Sequence, residues 1–192
     1  MQVSLVRAFV ALFVLCSIAG AQAPAEWDSA EKTDAFSGGS YSEFVLVGHY
    51  IQAPTKGDGS APTITLRCKQ KPEDKRTQFN GDLLSAHLST GTVVNYSNNQ
   101  AVVFLRLDDG KAQSEVWSVS TDGTALFFNV YSLGNLLWGH SLWHKENTSP
   151  PVRKVILMLD EAFAGKVVAE FDMPDPLTVS GDCGVTWYNR KK

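Results

Sequence analysis

Residues 101–131, AVVFLRLDDGKAQSEVWSVSTDGTALFFNVY, decide the fold. Three apolar runs, 101–108, 115–119 and 125–131, are separated by Asp108-Asp109-Gly110 and by Asp122-Gly123. The runs have strand length and β-rich composition, with Trp117 and Val119 sharing one face. Asp-Gly is the favoured pair of a type I′ hairpin turn, so both connections read as tight hairpins. Connections this short join antiparallel neighbours, because a parallel crossover needs a dozen or more residues.

Working outward, Thr63-Ile64-Thr65-Leu66-Arg67-Cys68 alternates strictly. Ile64, Leu66 and Cys68 fall on the core face, with Thr65 and Arg67 outward. Residues 42–52, SEFVLVGHYIQ, are apolar in both registers, which suits a strand covered on both faces. Further strands are expected at 82–88, 93–96, 152–159 and 166–173, with a last edge strand at 185–188. Ser97-Asn98-Asn99-Gln100 has turn composition, and two prolines and a Gly-Asp-Gly make 53–62 a loop. Leucines at 133, 136 and 137 predict one short helix from Ser132, as N-cap, to about Trp143. The expected fold is therefore mainly β, an antiparallel β-sandwich or open barrel of eight to ten short strands with one short helix.

The chain begins with the pattern of a secretory signal peptide. Arg7 gives a positive start, residues 8–18 an apolar stretch, and Ala19-Gly20-Ala21 a small-residue cleavage site. The apolar stretch is about half the ~20 residues of a spanning helix, which argues against an uncleaved anchor. Cys16 lacks the small residues that precede a lipoprotein cysteine. Cleavage after Ala21 leaves a flexible leader, 22–40, in which Trp27 is the residue expected to pack down. A single β-rich domain, 41–192, follows, with no membrane span. Only Cys68 and Cys183 survive cleavage, and in an oxidising compartment they are expected to pair. Export places the protein in the periplasm or outside the cell. The net charge is −3, without a basic stripe, so no nucleic-acid partner is implied.

Candidate chemistry is sparse. His140 and His144 have the i, i+4 spacing of paired zinc ligands on a helix, with His49 or His87 as a possible third. They lack the glutamate of a zincin motif, and the bland reading is polar histidines among aromatic anchors. No Gly-x-Ser-x-Gly elbow occurs, and cysteines paired as expected leave no thiol to act as a nucleophile. The acid pairs Asp108-Asp109 and Asp160-Glu161 fall in hairpin turns, where carboxylates bond local backbone and face water. Arg106, in strand 101–108, is expected either to pair with Asp108 two residues on or to face a ligand or partner. Trp138 and Trp143 would form a sticky contact for protein or carbohydrate if exposed together. Asn95-Tyr96-Ser97 and Asn147-Thr148-Ser149 are glycosylation sequons. No catalytic residue, cofactor or metal site is assigned.

One ordered set of features resembles a known family. It runs from the Leu66-Arg67-Cys68 strand through Val103-x-x-Arg106-x-Asp108 and Val116-Trp117-Ser118-Val119-Ser120-Thr121-Asp122-Gly123. It ends at Ala169-Glu170-Phe171-Asp172 and Cys183. This is similar to the VasI-like exported accessory proteins associated with type VI secretion, over about 63–183. Residues 133–151 have no place on that pattern. The resemblance implies a β-rich core bridged by its cysteines, no enzymatic activity, and an accessory role among envelope proteins. The functional expectation is thus a non-enzymatic exported protein binding another envelope protein or a surface ligand. The alternatives are a hydrolase or metal-dependent enzyme using His140 and His144, and a carbohydrate-binding module using Trp138 and Trp143.

Overall fold

A computed structural model describes residues 25–35, 37–69, 83–138, 151–162, 165–175, 179 and 183. The expected signal peptide, the helix beyond 138, and the last strand at 185–188 lie outside these residues.

Among the described residues, ten strands and one helix follow in chain order. They are β1 Asp28–Thr33, β2 Ser40–Val47, β3 His49–Gln52, β4 Thr63–Lys69, β5 Leu83–Ser89, β6 Gln100–Leu107, β7 Gln113–Val119, β8 Ala125–Phe127, α1 Val130–Trp138, β9 Lys154–Asp160 and β10 Lys166–Asp172. All ten strands belong to one sheet, ordered β1-β2-β4-β5-β8-β7-β6-β9-β10-β3, and every pairing is antiparallel. The chain is mainly β with one short helix, as the periodicity predicts.

The sheet returns to its own beginning. β2 and β3 are one stretch of chain interrupted only at Gly48. Its first half pairs with β4, and its second half pairs with β10 at the far end of the sheet. One continuous stretch thus pairs on both sides of the sheet, as in a barrel, with β1 added outside β2. Gly48 is the corner. A Cβ there would lie 2.6 Å from the Glu170 carbonyl oxygen and 2.7 Å from the Phe171 ring, so only glycine admits the approach. The strand is not covered on both faces as its apolar pattern suggests: Phe44 and Leu46 are buried and Tyr50 packs on the core, whereas Val47 and Ile51 are 61 % and 56 % exposed on the other register.

One face of the rolled sheet fills the interior. Ile64, Leu66, Val103, Leu105, Leu157 and Phe171 belong to a single buried cluster. Alternation along β6, β9 and β10 puts every second residue there. The leader is tied down more extensively than its composition suggests. Trp27 is buried, and β1 lies along the outer edge of β2.

The connections divide the molecule into two ends. Loops 53–62, 90–99 and 120–124 and the β9–β10 turn gather at one end. The β6–β7 turn and α1 lie at the other. There the Asn129 carboxamide oxygen accepts the N–H groups of Tyr131 and Ser132, at 2.9 and 3.0 Å. The N-cap is therefore Asn129 rather than Ser132, which is buried and donates to Glu115 Oε2 at 2.5 Å. Glu115 also accepts from Trp117 Nε1 and Asn135 Nδ2, fastening the helix to β7.

The turns also differ in detail. Asn98 and Asn99, with φ of 54° and 58°, provide the two left-handed positions of a type I′ turn. Gly123 (φ 75°) instead lies in a four-residue connection, 121–124, between the paired Ser120 and Ala125, and its N–H donates to the Ser120 carbonyl at 2.9 Å. In the first hairpin the positive φ, 47°, belongs to Asp108 and not to Gly110.

Cys68 and Cys183 form the expected disulfide, both buried, with Cα atoms 4.8 Å apart and a separation of 115 positions in sequence. Such a loop is worth roughly 4–5 kcal/mol in the chain-entropy account. Denaturant titration of reduced protein should show a loss of that order, and coincident curves for oxidised and reduced protein would remove the staple. Gly48→Ala should cost about 1–3 kcal/mol through overpacking against β10, read as a lower midpoint at unchanged slope.

Candidate functional site

The loop end gathers polar groups that the interior excludes. Loop 53–62 folds over it and is held at four points. Thr55 donates its N–H to Glu161 Oε1 at 2.6 Å, and Asp58 donates its N–H to the Gly91 carbonyl at 2.9 Å. Thr92 Oγ1 donates to the Lys56 carbonyl at 2.5 Å. Tyr50 Oη approaches the carbonyls of Thr90 at 2.5 Å and Ser60 at 3.1 Å. Burial, with a smaller contribution from the Asp58 charge, raises the Tyr50 phenol above its usual range, so it stays a donor.

Glu161 is the main departure from the sequence reading. It was expected in a turn, facing water, but it is 2 % exposed. Its inward position continues the alternation of Val155, Leu157 and Leu159 past the end of β9. That alternation is the signal that identifies it. Its partner Thr55 is 106 residues away in sequence, which no local pattern shows. Gly165 makes room for it, since a Cβ there would stand 2.5 Å from Glu161 Oε2.

Beside this anchor lies a cleft of about 630 Å³, lined by Lys56, Asp58, Ser89, Thr92, Val93 and Thr124. Its volume falls within the ~300–1,000 Å³ of small-ligand sites, which favour the mouths of β-barrels. Asp58 Oδ1 accepts from the Ser60 N–H at 2.8 Å and the Ser60 hydroxyl at 2.5 Å. The Ser60 hydroxyl and N–H hold this carboxyl below its usual range. Gly91, at φ 62°, keeps the floor open, because a Cβ would meet Asp58 Oδ1 at 2.5 Å.

The outer face carries two further features. On β6 and β7, Val102 and Val116 sit directly opposite each other and are 50 % and 61 % exposed. Phe104, opposite Met158 on β9, is 40 % exposed. Around the barrel, Glu43 is buried between Lys32 and Arg67, with Arg67 Nε donating at 2.8 Å. Burial pushes the Glu43 carboxyl up, but hydrogen bonds and charges from Lys32 and Arg67 outweigh it and bring it below its usual range. The Glu43 hydrogen bond and charge raise Lys32. His87, half-buried beside Phe127 at 5.5 Å, is held neutral first by burial and then by the Arg67 charge.

The remaining sequence candidates place as follows. Arg106 is exposed on the outer face of β6. The expected pair with Asp108 is not made, because Asp108 has left the strand and accepts the N–H groups of Arg153 and Lys154, at 2.9 and 2.8 Å. His49 Nε2 stands 3.6 Å from Glu170 Oε1, which also accepts from Lys154 Nζ at 2.7 Å. Trp138 ends α1, while the Trp138 side chain, His140, Trp143 and His144 lie outside the described residues. Among the described residues no cluster of three His, Cys, Asp or Glu is placed to hold a metal, and no helix is long and apolar enough to cross a membrane.

Glu43 binds fewer protons in the folded than in the unfolded chain. Its stabilisation is full at neutral pH and is lost as pH falls through its lowered pKa. The Lys32 contribution has the opposite sign and is lost only as pH rises through its raised pKa. Glu43→Gln should therefore lower Tm at neutral pH, and the gap to the parent should close as pH falls through the lowered Glu43 pKa. A gap independent of pH would contradict this origin. No family model, curated protein or solved structure matches the chain.

Proposed function

We propose that this is a non-enzymatic, exported binding protein whose outer β6–β7 face receives another envelope protein. One observation carries the reading. Val102, Phe104 and Val116 form an exposed apolar row on adjacent strands, with the exposed Arg106 at its end. An isolated surface valine needs no explanation, but apolar residues gathered on one face mark an interaction surface. Arginine beside an apolar centre is the composition of interface hot spots. The occupant is a protein surface with apolar side chains opposite the valines and an acidic group opposite Arg106.

Carboxylates elsewhere act as structural fasteners, which favours binding over catalysis. Glu115 ties α1 to β7, Glu161 holds loop 53–62, and Asp108 caps the start of β9. The signal-like N-terminus supports export. The VasI-like resemblance supports an accessory role beside a secretion assembly.

The test is a cross-linked pull-down of tagged protein from its native envelope fraction, read by mass spectrometry. The parent should recover one or a few stoichiometric proteins. Val102→Asp with Val116→Asp should reduce their recovery by at least about tenfold, the equivalent of 1.4 kcal/mol, with the melting curve unchanged. Equal recovery by both proteins, or no stoichiometric partner, would overturn the reading.

A further inference from the structure

The loop-end cleft stands apart from the outer face and calls for a different occupant. Its shape is set in advance. Loop 53–62 is pinned to Glu161, Gly91 and Thr92, so ligand entry has little backbone to order. Gly57 and Gly91 keep its floor bare. A Cβ on Gly57 would meet the Pro54 ring at 2.8 Å and the Gly91 carbonyl at 3.1 Å.

The lining defines a chemical class. Val93 supplies hydrocarbon. Beside it, Gly123 brings together Val93 and Tyr96, whose atoms would lie 2.8 and 3.2 Å from a Cβ placed there. Tyr96 is 40 % exposed, so an aromatic ring stands near this wall. The rest is polar and of mixed sign. Asp58 is a carboxylate fixed on one oxygen by Ser60, Lys56 is a cation, and Ser89 is a hydroxyl that both donates and accepts. A net anion would meet the Asp58 charge, and a net cation would meet Lys56. A neutral sugar ring has what this lining asks for. It presents an apolar C–H face and a rim of hydroxyls that donate to carboxylate and accept from ammonium and hydroxyl.

We propose that the cleft between loop 53–62 and loops 90–99 and 120–124 is a binding site for a neutral saccharide. Its polar contacts are Asp58, Lys56 and Ser89, and its apolar wall is Val93. The site uses none of the outer-face residues.

The full exported chain, disulfide intact, is screened by saturation-transfer NMR against neutral oligosaccharides of glucose, galactose, mannose and N-acetylglucosamine. At least one should bind, and titration then gives its affinity. Asp58→Ala should weaken that affinity by at least about tenfold, as loss of a charge-assisted hydrogen bond predicts. Since Asp58 also orders Ser60, a second variant, Ser89→Tyr, fills the cleft without touching that contact and should abolish binding. Circular dichroism and melting establish that both variants fold. Val102→Asp with Val116→Asp should bind the sugar normally, which separates this site from the outer face. The proposal is overturned if no oligosaccharide of the panel binds, or if binding survives both cleft variants in folded protein. It is equally overturned if the cleft takes inorganic phosphate or calcium and no sugar.

Discussion

The corner at Gly48 is the constraint on which the rest of the structure depends. A sheet can roll shut only if its two sides meet, and here β2, one strand in from one end, and β3, at the other end, are both parts of residues 40–52. The backbone of that segment passes so close to Glu170 and Phe171 that no side chain fits between them. Closure gives one continuous interior, which is why Ile64 on β4 and Leu157 on β9 share a core although they lie far apart in the sheet. The disulfide adds a covalent tie, joining the end of β4 to a cysteine beyond β10.

Much of this was legible in the residues. The alternation at 63–68 placed Ile64, Leu66 and Cys68 inward, and Trp27 was expected to pack down, as it does. What escaped was set by contacts distant in sequence or by choices between close alternatives. Asn129 and Ser132 are both good caps, and Asn129 prevails because its side chain reaches two N–H groups while Ser132 is drawn to Glu115. Asp108 leaves Arg106 because two backbone N–H groups across the β6–β9 pairing are offered to it. Gly48 gave a local sign, a lone glycine inside an apolar strand pattern, which marks a bend or a close backbone approach. The apolar outer row had one as well, since Ala101-Val102-Val103-Phe104-Leu105 is apolar in both registers. The cleft had none, because its walls come from three loops that only the closed barrel assembles.

The two surfaces under discussion differ in physical kind. The outer row is apolar area left uncovered on strands, so a partner seated there would gain energy by removing water. The cleft is mixed in polarity, so a ligand there would be selected by placed donors and acceptors. Strands build the first and loops build the second, so substitutions in one leave the geometry of the other in place.

Closure of the sheet on residues 40–52 also imposes an order of events. Synthesis runs from the N-terminus, so β2 and β3 emerge early, whereas β10 is the last of the described strands to be made. Until β10 arrives, β3 carries backbone donors and acceptors whose native partners do not yet exist. Pairing between strands this distant in the chain is slow, and an unfilled strand edge invites association with other chains. The barrel that is self-contained once complete therefore passes through a stage at which it is open to capture, and the nascent chain gains most from a holding partner in that interval.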